Sequence, residues 1–475
     1  MSRITQVTSR SAWLLTTSAV AAWWGWYFGV RTANVHFGLG TSAYDFGLYE
    51  QGVWLLSRFE SPFVTLMGRN LLGDHSSFVL LLVAPLYWII GSTALLLVVQ
   101  ALVVAAAAIP IHLATRQITG SDALGFVFGL VYLLHPAISW TVLENFHPDA
   151  FLGLFISMVW WAIVTRRTVW FWVSVALALS VKEDVAVILV GIGVWLSVRR
   201  EWRRGIALIA VSLLTMLTML FVVMRSFTGV TFRNSWRIPF GGPGGFLRAI
   251  FSSPRQVVDH FLSDGRPFYL FQMLAPTGFV FLRAPLLTAT ASLVLFVNVL
   301  STFWYQYQIE YHYSIVAVPS IVIGTAWAIR VLVGRNRRYA VALVLACSVL
   351  TAYLWSPLPM SRREVPTWPP SHPIAVAARE IIEVIPPNAS VTAQHSVTAH
   401  LARRSEIYMF PNPFKSTLYG PDVFREGDRL DAAETVEYVV LQRNLSAEDE
   451  TVWALERDDF VEIAGNEYWA VYRRR

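Results

Sequence analysis

The stretches 93–113, 205–224 and 313–333 are each about twenty mostly apolar residues long, enough for a helix to cross a hydrocarbon core about 30 Å thick. Lipid offers no partner for a backbone N–H or C=O, so segments of this kind are forced into helices. The fold class that follows is an all-α polytopic membrane protein. Composition supports it where it discriminates: 14% of residues are charged and 55% hydrophobic, against about 25% charged in soluble domains.

Apolar segments at 11–30, 93–113, 122–142, 150–165, 169–181, 185–198, 205–224, 268–283, 285–300, 313–333 and 339–355 predict about eleven transmembrane helices. Residues 78–90 are apolar but short, a length that suits an interfacial helix better than a span. With 78–90 at the interface, Arg116, Arg166-Arg167, the arginines of 199–204, Arg283 and those of 335–338 all fall on one side. By the positive-inside rule that side is cytoplasmic. The expected location is a bacterial plasma membrane, with the N-terminus cytoplasmic. The net charge of +6 then reads as orienting charge, and no basic tract interleaved with aromatics resembles a nucleic-acid surface. Twenty tryptophans fit aromatic belts at the two interfaces. Trp23, Trp24 and Trp26 occupy the place where a signal peptidase needs small residues, so the first span is expected to stay uncleaved. Cys347 is the single cysteine, and any exported region is held without an intrachain disulfide.

The other side receives the loop 31–92 with interfacial helices, Glu144 to Asp149, Lys182 to Asp184, the Gly/Pro-rich loop 225–267 and residues 301–312. It also receives the tail. A Pro-rich linker at 356–372 leads to a helix-like stretch, Ile374 to Ile385, and then to β-branched runs such as Tyr438-Val439-Val440-Leu441. A soluble extracytoplasmic α/β or α+β domain is expected over 373–475, after a membrane domain of residues 1–355.

Five segments on this face carry chemistry. Asp45, in Tyr44-Asp45-Phe46-Gly47, is placed to act as a general base, to bind a cation or merely to cap a helix. Asp74-His75 reads as a proton relay, a ligand pair or the cap of 78–90. Glu144-Asn145-Phe146-His147-Pro148-Asp149 gathers three ionisable groups where Pro148 interrupts a helix; the bland account is a solvated loop. Lys182-Glu183-Asp184 stands between two apolar segments, where three charges are expensive unless paired or open to a cavity. Lys182 either pairs locally or grips a phosphate. Gln306 and His312, within the Tyr/Gln-rich run 305–313, suit a sugar surface as well as an aromatic belt. Gly241-Gly242-Pro243-Gly244-Gly245 is a flexible segment without the ending of a nucleotide-binding loop.

Together Tyr44-Asp45-Phe46-Gly47, Gly73-Asp74-His75, Phe146-His147-Pro148-Asp149, Val181-Lys182-Glu183-Asp184 and Tyr311-His312-Tyr313-Ser314 resemble the bacterial membrane family labelled domain of unknown function 2079. The likeness extends into the tail through Ser390-Val391-Thr392-Ala393-Gln394 and Arg404-Ser405-Glu406-Ile407-Tyr408. That family is similar in layout to the GT-C glycosyltransferases: a first span, a large external loop with surface helices and an acidic residue, many further spans and often an external C-terminal domain. The resemblance implies a membrane enzyme that moves a hexosyl or pentosyl unit, with inversion, from a polyprenyl-phosphate donor to an envelope glycan or protein. It places Asp45 at the first-loop catalytic acid, Asp149 at a further acidic position and Lys182 at the lipid phosphate. The expected catalytic set is Asp45, His147 and Asp149; the expected substrate-binding set is Lys182, Glu183, Asp184, Asp74, His75, Gln306 and His312. A divalent cation, Mg²⁺ or Mn²⁺, between Asp45 and Asp149 is the one cofactor that this pattern admits. The first-loop motif departs from the paired acids of many such enzymes. A transporter or flippase of a lipid or polar solute, or a non-catalytic envelope assembly protein, is the alternative; neither an internal repeat nor midplane charges in two halves favour transport.

Overall fold

The computed structural model describes residues 3–231, 233–421 and 426–475. The first apolar run forms part of one helix, Arg3–Phe37, of 35 residues. At 1.5 Å per residue it is about 52 Å long, more than the hydrocarbon thickness. Its Trp24 and Phe28 are buried. Gly25 brings it close to helix Leu95–Ala106: a Cβ there would stand 3.1 Å from the Ala105 Cβ. Small residues serve the same end at other membrane helix contacts, where dispersion replaces the hydrophobic effect.

Among the described residues, Leu95–Thr119, Trp202–Thr228, His312–Arg330 and Gly334–Trp355 are each long and apolar enough to cross a membrane, and the bent pair Asp122–Leu134 with Pro136–Leu143 makes a fifth. Ala150–Val164, Thr168–Leu179 and Ala186–Val198 have 15, 12 and 13 residues, short of the roughly 20 that a lone crossing needs. The apolar runs are therefore helical but of unequal length. Two differ in kind from the expectation. The run 122–142 is bent by 51° because Pro136 lacks an N–H and biases His135 away from the helical region. The run 268–283 is not one helix. Arg266–Leu274 gives way to two single turns of 3₁₀ helix, Ala275–Thr277 and Val280–Arg283. Gly278 and Phe279 between them have φ of +58° and +56°, and left-handed backbone ends a helix.

Residues 78–90 form two short pieces, Leu80–Val83 and Ala84–Trp88, too short to cross. They lie against helix Leu48–Ser57, with the Trp88 indole donating to the Ser57 carbonyl at 2.6 Å. The loop 225–267 contains the helices Pro243–Ser252 and Pro254–Leu262, which leave Leu247, Phe251, Val258 and Leu262 exposed. The glycines ahead of them, Gly241 and Gly242, have φ of +84° and +93°, a turn that glycine alone takes without strain.

The tail carries a five-stranded sheet in the order Ile407–Met409, Val391–Ala393, Tyr438–Gln442, Trp469–Arg474, Phe460–Gly465. The first three strands run parallel and the last two pairings are antiparallel. Alternation along Tyr438–Gln442 separates two cores. Tyr438 and Val440 face the same apolar cluster as helix Pro373–Ile382 and the transmembrane helices. Val439 and Leu441 face Val452 and Trp453 of helix Ala447–Glu456. The sheet is fastened to the first loop: Thr65 donates its hydroxyl to the Ile407 carbonyl at 2.7 Å, and Gln51 donates to the Ser405 carbonyl at 3.0 Å. This docking holds the helix that follows Asp45.

Candidate active site

Four chain breaks meet beneath the sheet. At the first, Ser42 caps the turn Ala43–Gly47 by accepting from the Asp45 N–H at 3.1 Å. The capping task thus falls to Ser42, and the Asp45 carboxylate stays half exposed. The Ser42 N–H donates to the Asn145 side chain at 3.0 Å, tying this turn to the second break, 144–149. That segment separates Pro136–Leu143 from Ala150–Val164. Gln100, wholly buried on Leu95–Ala106, holds it from below. Its carbonyl accepts from the His147 N–H at 2.9 Å, and its amide donates to the Thr141 and Val142 carbonyls at 3.1 and 3.3 Å. The third break is the extended residue Lys182 between Thr168–Leu179 and Ala186–Val198. The fourth is the irregular stretch around Trp304–Tyr307 and His312–Ser314.

A continuous series of contacts links the four. His147 Nε2 lies 3.8 Å from Asp45 Oδ1. The His147 and His312 rings stack with centroids 3.7 Å apart at 19°. Glu144 binds His312 twice, accepting from its backbone N–H at 2.6 Å and lying 3.2 Å from Nδ1. His312 Nε2 is 4.0 Å from Asp149 Oδ2, and Asp149 Oδ1 is 3.8 Å from Lys182 Nζ. Lys182 also stands 3.9 Å from Asp184 and 5.5 Å from the centre of the Tyr313 ring. His75 meets Glu183 at 2.8 Å.

These groups share one electrostatic problem, burial of charge. Burial pushes the Glu144 carboxyl well above its ordinary range, and Asp45 adds to the rise. Burial lowers His147 against the opposing pull of Asp45 and Asp149. Its Nδ1 lies 2.9 Å from the Asn145 carbonyl, which can only accept. The neutral ring therefore carries its proton on Nδ1 and turns a bare Nε2 toward Asp45. Burial alone would discharge Lys182, but Asp149 and Asp184 outweigh it and raise the ammonium above its ordinary value. Glu183, which burial would raise, is drawn down to about 2, chiefly by His75.

Of the residues expected from sequence, Asp45, His147, Asp149, Lys182, Glu183, Asp184, His75 and His312 enter this assembly. Gln306 lines a cavity of about 50 Å³ together with Asp149, Asp184 and Tyr313. Asp74 pairs with Arg69 at 3.5 Å. Glu144 stands at the centre although the expected catalytic set leaves it out. Gln100 was legible only as an amide inside an apolar run. Arg237 carries no sequence signal, yet it lines a second cavity of about 270 Å³ with Lys182 and His75. The same lining includes the apolar Met216, Leu220 and Met224 of Trp202–Thr228, a helix long and apolar enough to cross a membrane.

No curated protein matches this sequence. Among solved structures, the chain is similar to ArnT from Cupriavidus metallidurans in the apo state, with a TM-score of 0.56 and 14% identity, covering 98% of each chain. At that identity the likeness shows the fold alone, and it bears out the GT-C-like layout expected from the resemblance. The family described as Predicted membrane protein (DUF2079) matches residues 35–475, nearly the whole chain and every break that builds the cluster, and to that family this protein belongs.

Proposed function

We propose that the protein is an inverting membrane glycosyltransferase that moves a sugar from a polyprenyl-phosphate donor to a cell-envelope glycan or protein outside the cytoplasm. The observation that carries this reading is one juxtaposition. A half-exposed carboxylate and a charged, buried lysine belong to the same contact series, and the lysine lines a cavity together with apolar residues of a helix long enough to cross a membrane. A donor with an apolar chain, a phosphate and a sugar has matching chemistry along that path. The fold of ArnT supports it as well.

In this reading Asp45 takes the proton of the acceptor hydroxyl while its oxygen bonds to the anomeric carbon. The bond from that carbon to the phosphate oxygen breaks, and its electron pair leaves on the phosphate beside Lys182, with Arg237 on the same cavity wall. Asp149 and Asp184 keep Lys182 charged. The expected divalent cation near Asp45 and Asp149 would supply charge compensation in a carboxylate-rich site. The C-terminal sheet and the cluster belong, in this proposal, to the extracytoplasmic face.

The test is Asp45→Asn in protein reconstituted with a panel of radiolabelled polyprenyl-phosphate sugars and an envelope fraction. Transfer should fall by at least a hundred-fold while insertion and thermal stability stay unchanged, because the half-exposed carboxylate stands 3.8 Å from His147, beyond hydrogen-bond length. Undiminished transfer in the variant would overturn the assignment.

A further inference from the structure

Glu144, His147 and His312 each bring one donor atom within 4.8 Å of the other two, and the transfer chemistry above gives no task to a pair of stacked histidines. We propose that these three side chains bind one divalent cation of the zinc class, with Asp45 and Asp149 flanking it. Binding of this ion does not depend on the protein being a glycosyltransferase.

Three features of the geometry support a built site. The first is the tautomer of His147: its Nδ1–H is committed to the Asn145 carbonyl, so Nε2 presents a lone pair. A ligating histidine ordinarily has its other nitrogen anchored on a backbone carbonyl in this way. The second is spacing. Glu144 and His312 Nδ1 are 3.2 Å apart, and two donors about 2.0–2.1 Å from one tetrahedral ion stand about 3.3 Å apart. The third is support for the carboxylate, since the His312 N–H holds Glu144 at 2.6 Å, as outer hydrogen bonds fix other ligating carboxylates.

Charge points the same way. Asp45 and Glu144 stand beside His147, Asp149 and Asp184 beside Lys182, and Glu183 beside His75, so five carboxylates adjoin one lysine and the histidines. Donor type decides which cation. Two imidazoles with a carboxylate suit zinc and its neighbours, whereas magnesium takes oxygen ligands. The ligand set therefore shifts from the oxygen pair expected from sequence, Asp45 and Asp149, to a mixed nitrogen and oxygen set. Asp45, 3.8 Å from His147 Nε2, lies beside this ligand set.

The test uses full-length protein in nanodiscs after chelator treatment. Calorimetric titration should find one Zn²⁺ per chain and Mg²⁺ at least a hundred-fold weaker; no zinc binding, or equal affinity for the two ions, would overturn the proposal. Glu144→Gln, which removes a charged ligand, should weaken zinc by more than the roughly 10-fold that loss of an outer-shell partner costs, and His147→Ala with His312→Ala should abolish the zinc-induced rise in thermal midpoint. An unchanged rise in the double variant would also overturn it. Should that variant fail to fold, wild-type protein loaded with one Cu²⁺ decides the matter by pulsed EPR. Two coordinated imidazoles are expected, and one or none refutes the site. All these readouts are independent of turnover, so they separate loss of the cation site from failure of the glycosyltransferase reading.

Discussion

Arg403 and Glu50 form the joint on which the geometry of Asp45 depends. Glu50 lies five residues beyond Asp45 and is wholly buried. It receives Arg403 Nε at 2.6 Å and the Tyr87 hydroxyl at 2.6 Å. Arg403 also donates to the Gly91 and Ser92 carbonyls at 2.7 and 2.5 Å and covers the Tyr87 ring at 4.6 Å. One guanidinium thus joins the tail, the first-loop helix and the chain just beyond the short helical pieces of 80–88. Removing one partner of a buried ion pair costs about 3–5 kcal/mol. Arg403 is 18% exposed and water can enter behind it, so Arg403→Ala is placed at about 3 kcal/mol, roughly a hundred-fold in the equilibrium that undocks tail from loop. Hydrogen exchange should then speed up about a hundred-fold in residues 48–57 and 399–409, with little change in the span Gly334–Trp355. The penalty should also depend on pH. Burial already raises Glu50, opposed by Arg403 and Tyr87. Without the arginine it rises further, so the variant is least destabilised at low pH and loses stability as pH rises. Adding Glu50→Gln to Arg403→Ala should restore part of the protection by removing the stranded charge. Exchange unchanged in Arg403→Ala, or no recovery with the second substitution, would refute the reasoning.

Two further outcomes follow from other parts of the cluster. Glu183, drawn down to about 2 chiefly by His75 against the effect of burial, contributes stability that is present above the ordinary glutamate range and is lost as pH falls toward 2. His75→Ala should move that acid transition upward in a fluorescence titration, and an unmoved transition would show that the pair does not hold Glu183. Gln100→Ala strands the His147 N–H and frees the Thr141 and Val142 carbonyls; a buried unsatisfied donor costs about 1–3 kcal/mol, so the thermal midpoint should drop while Gln100→Glu recovers only the acceptor to His147.

The sequence discloses whatever depends on local composition. Apolar runs locate helices because lipid leaves the backbone no other partner, and Lys182-Glu183-Asp184 declares itself because three charges in so short a gap need partners. What it does not disclose depends on where backbones stop being regular. The run 268–283 reads as a span by hydropathy, yet Pro276, Gly278 and a left-handed Phe279 break it, and Arg266 bonds to the Val299 and Ser301 carbonyls instead of facing water. Glu144 illustrates the same limit at the site. Its neighbours His147 and Asp149 lie on the same loop and are visible as a motif, but its own partner is His312, 168 residues away.

That separation also explains why the cluster is built from breaks rather than from helix faces. A side chain on a transmembrane helix reaches a membrane surface only at the end of its span, and a single end offers one or two positions. The turn at Asp45, the loop 144–149, the extended Lys182 and the stretch before Val318 each interrupt a helix at a corresponding height, so their side chains converge on one volume. Each interruption frees backbone groups that must be satisfied, and the site's own members supply the partners: Asn145 for Ser42, Glu144 for His312, Gln100 for His147. Removing the Glu144 side chain therefore also removes the partner of the His312 N–H. Asp45 carries no such duty, because Ser42 caps its turn, and Asp45→Asn therefore separates chemistry from folding more cleanly than a change at Glu144.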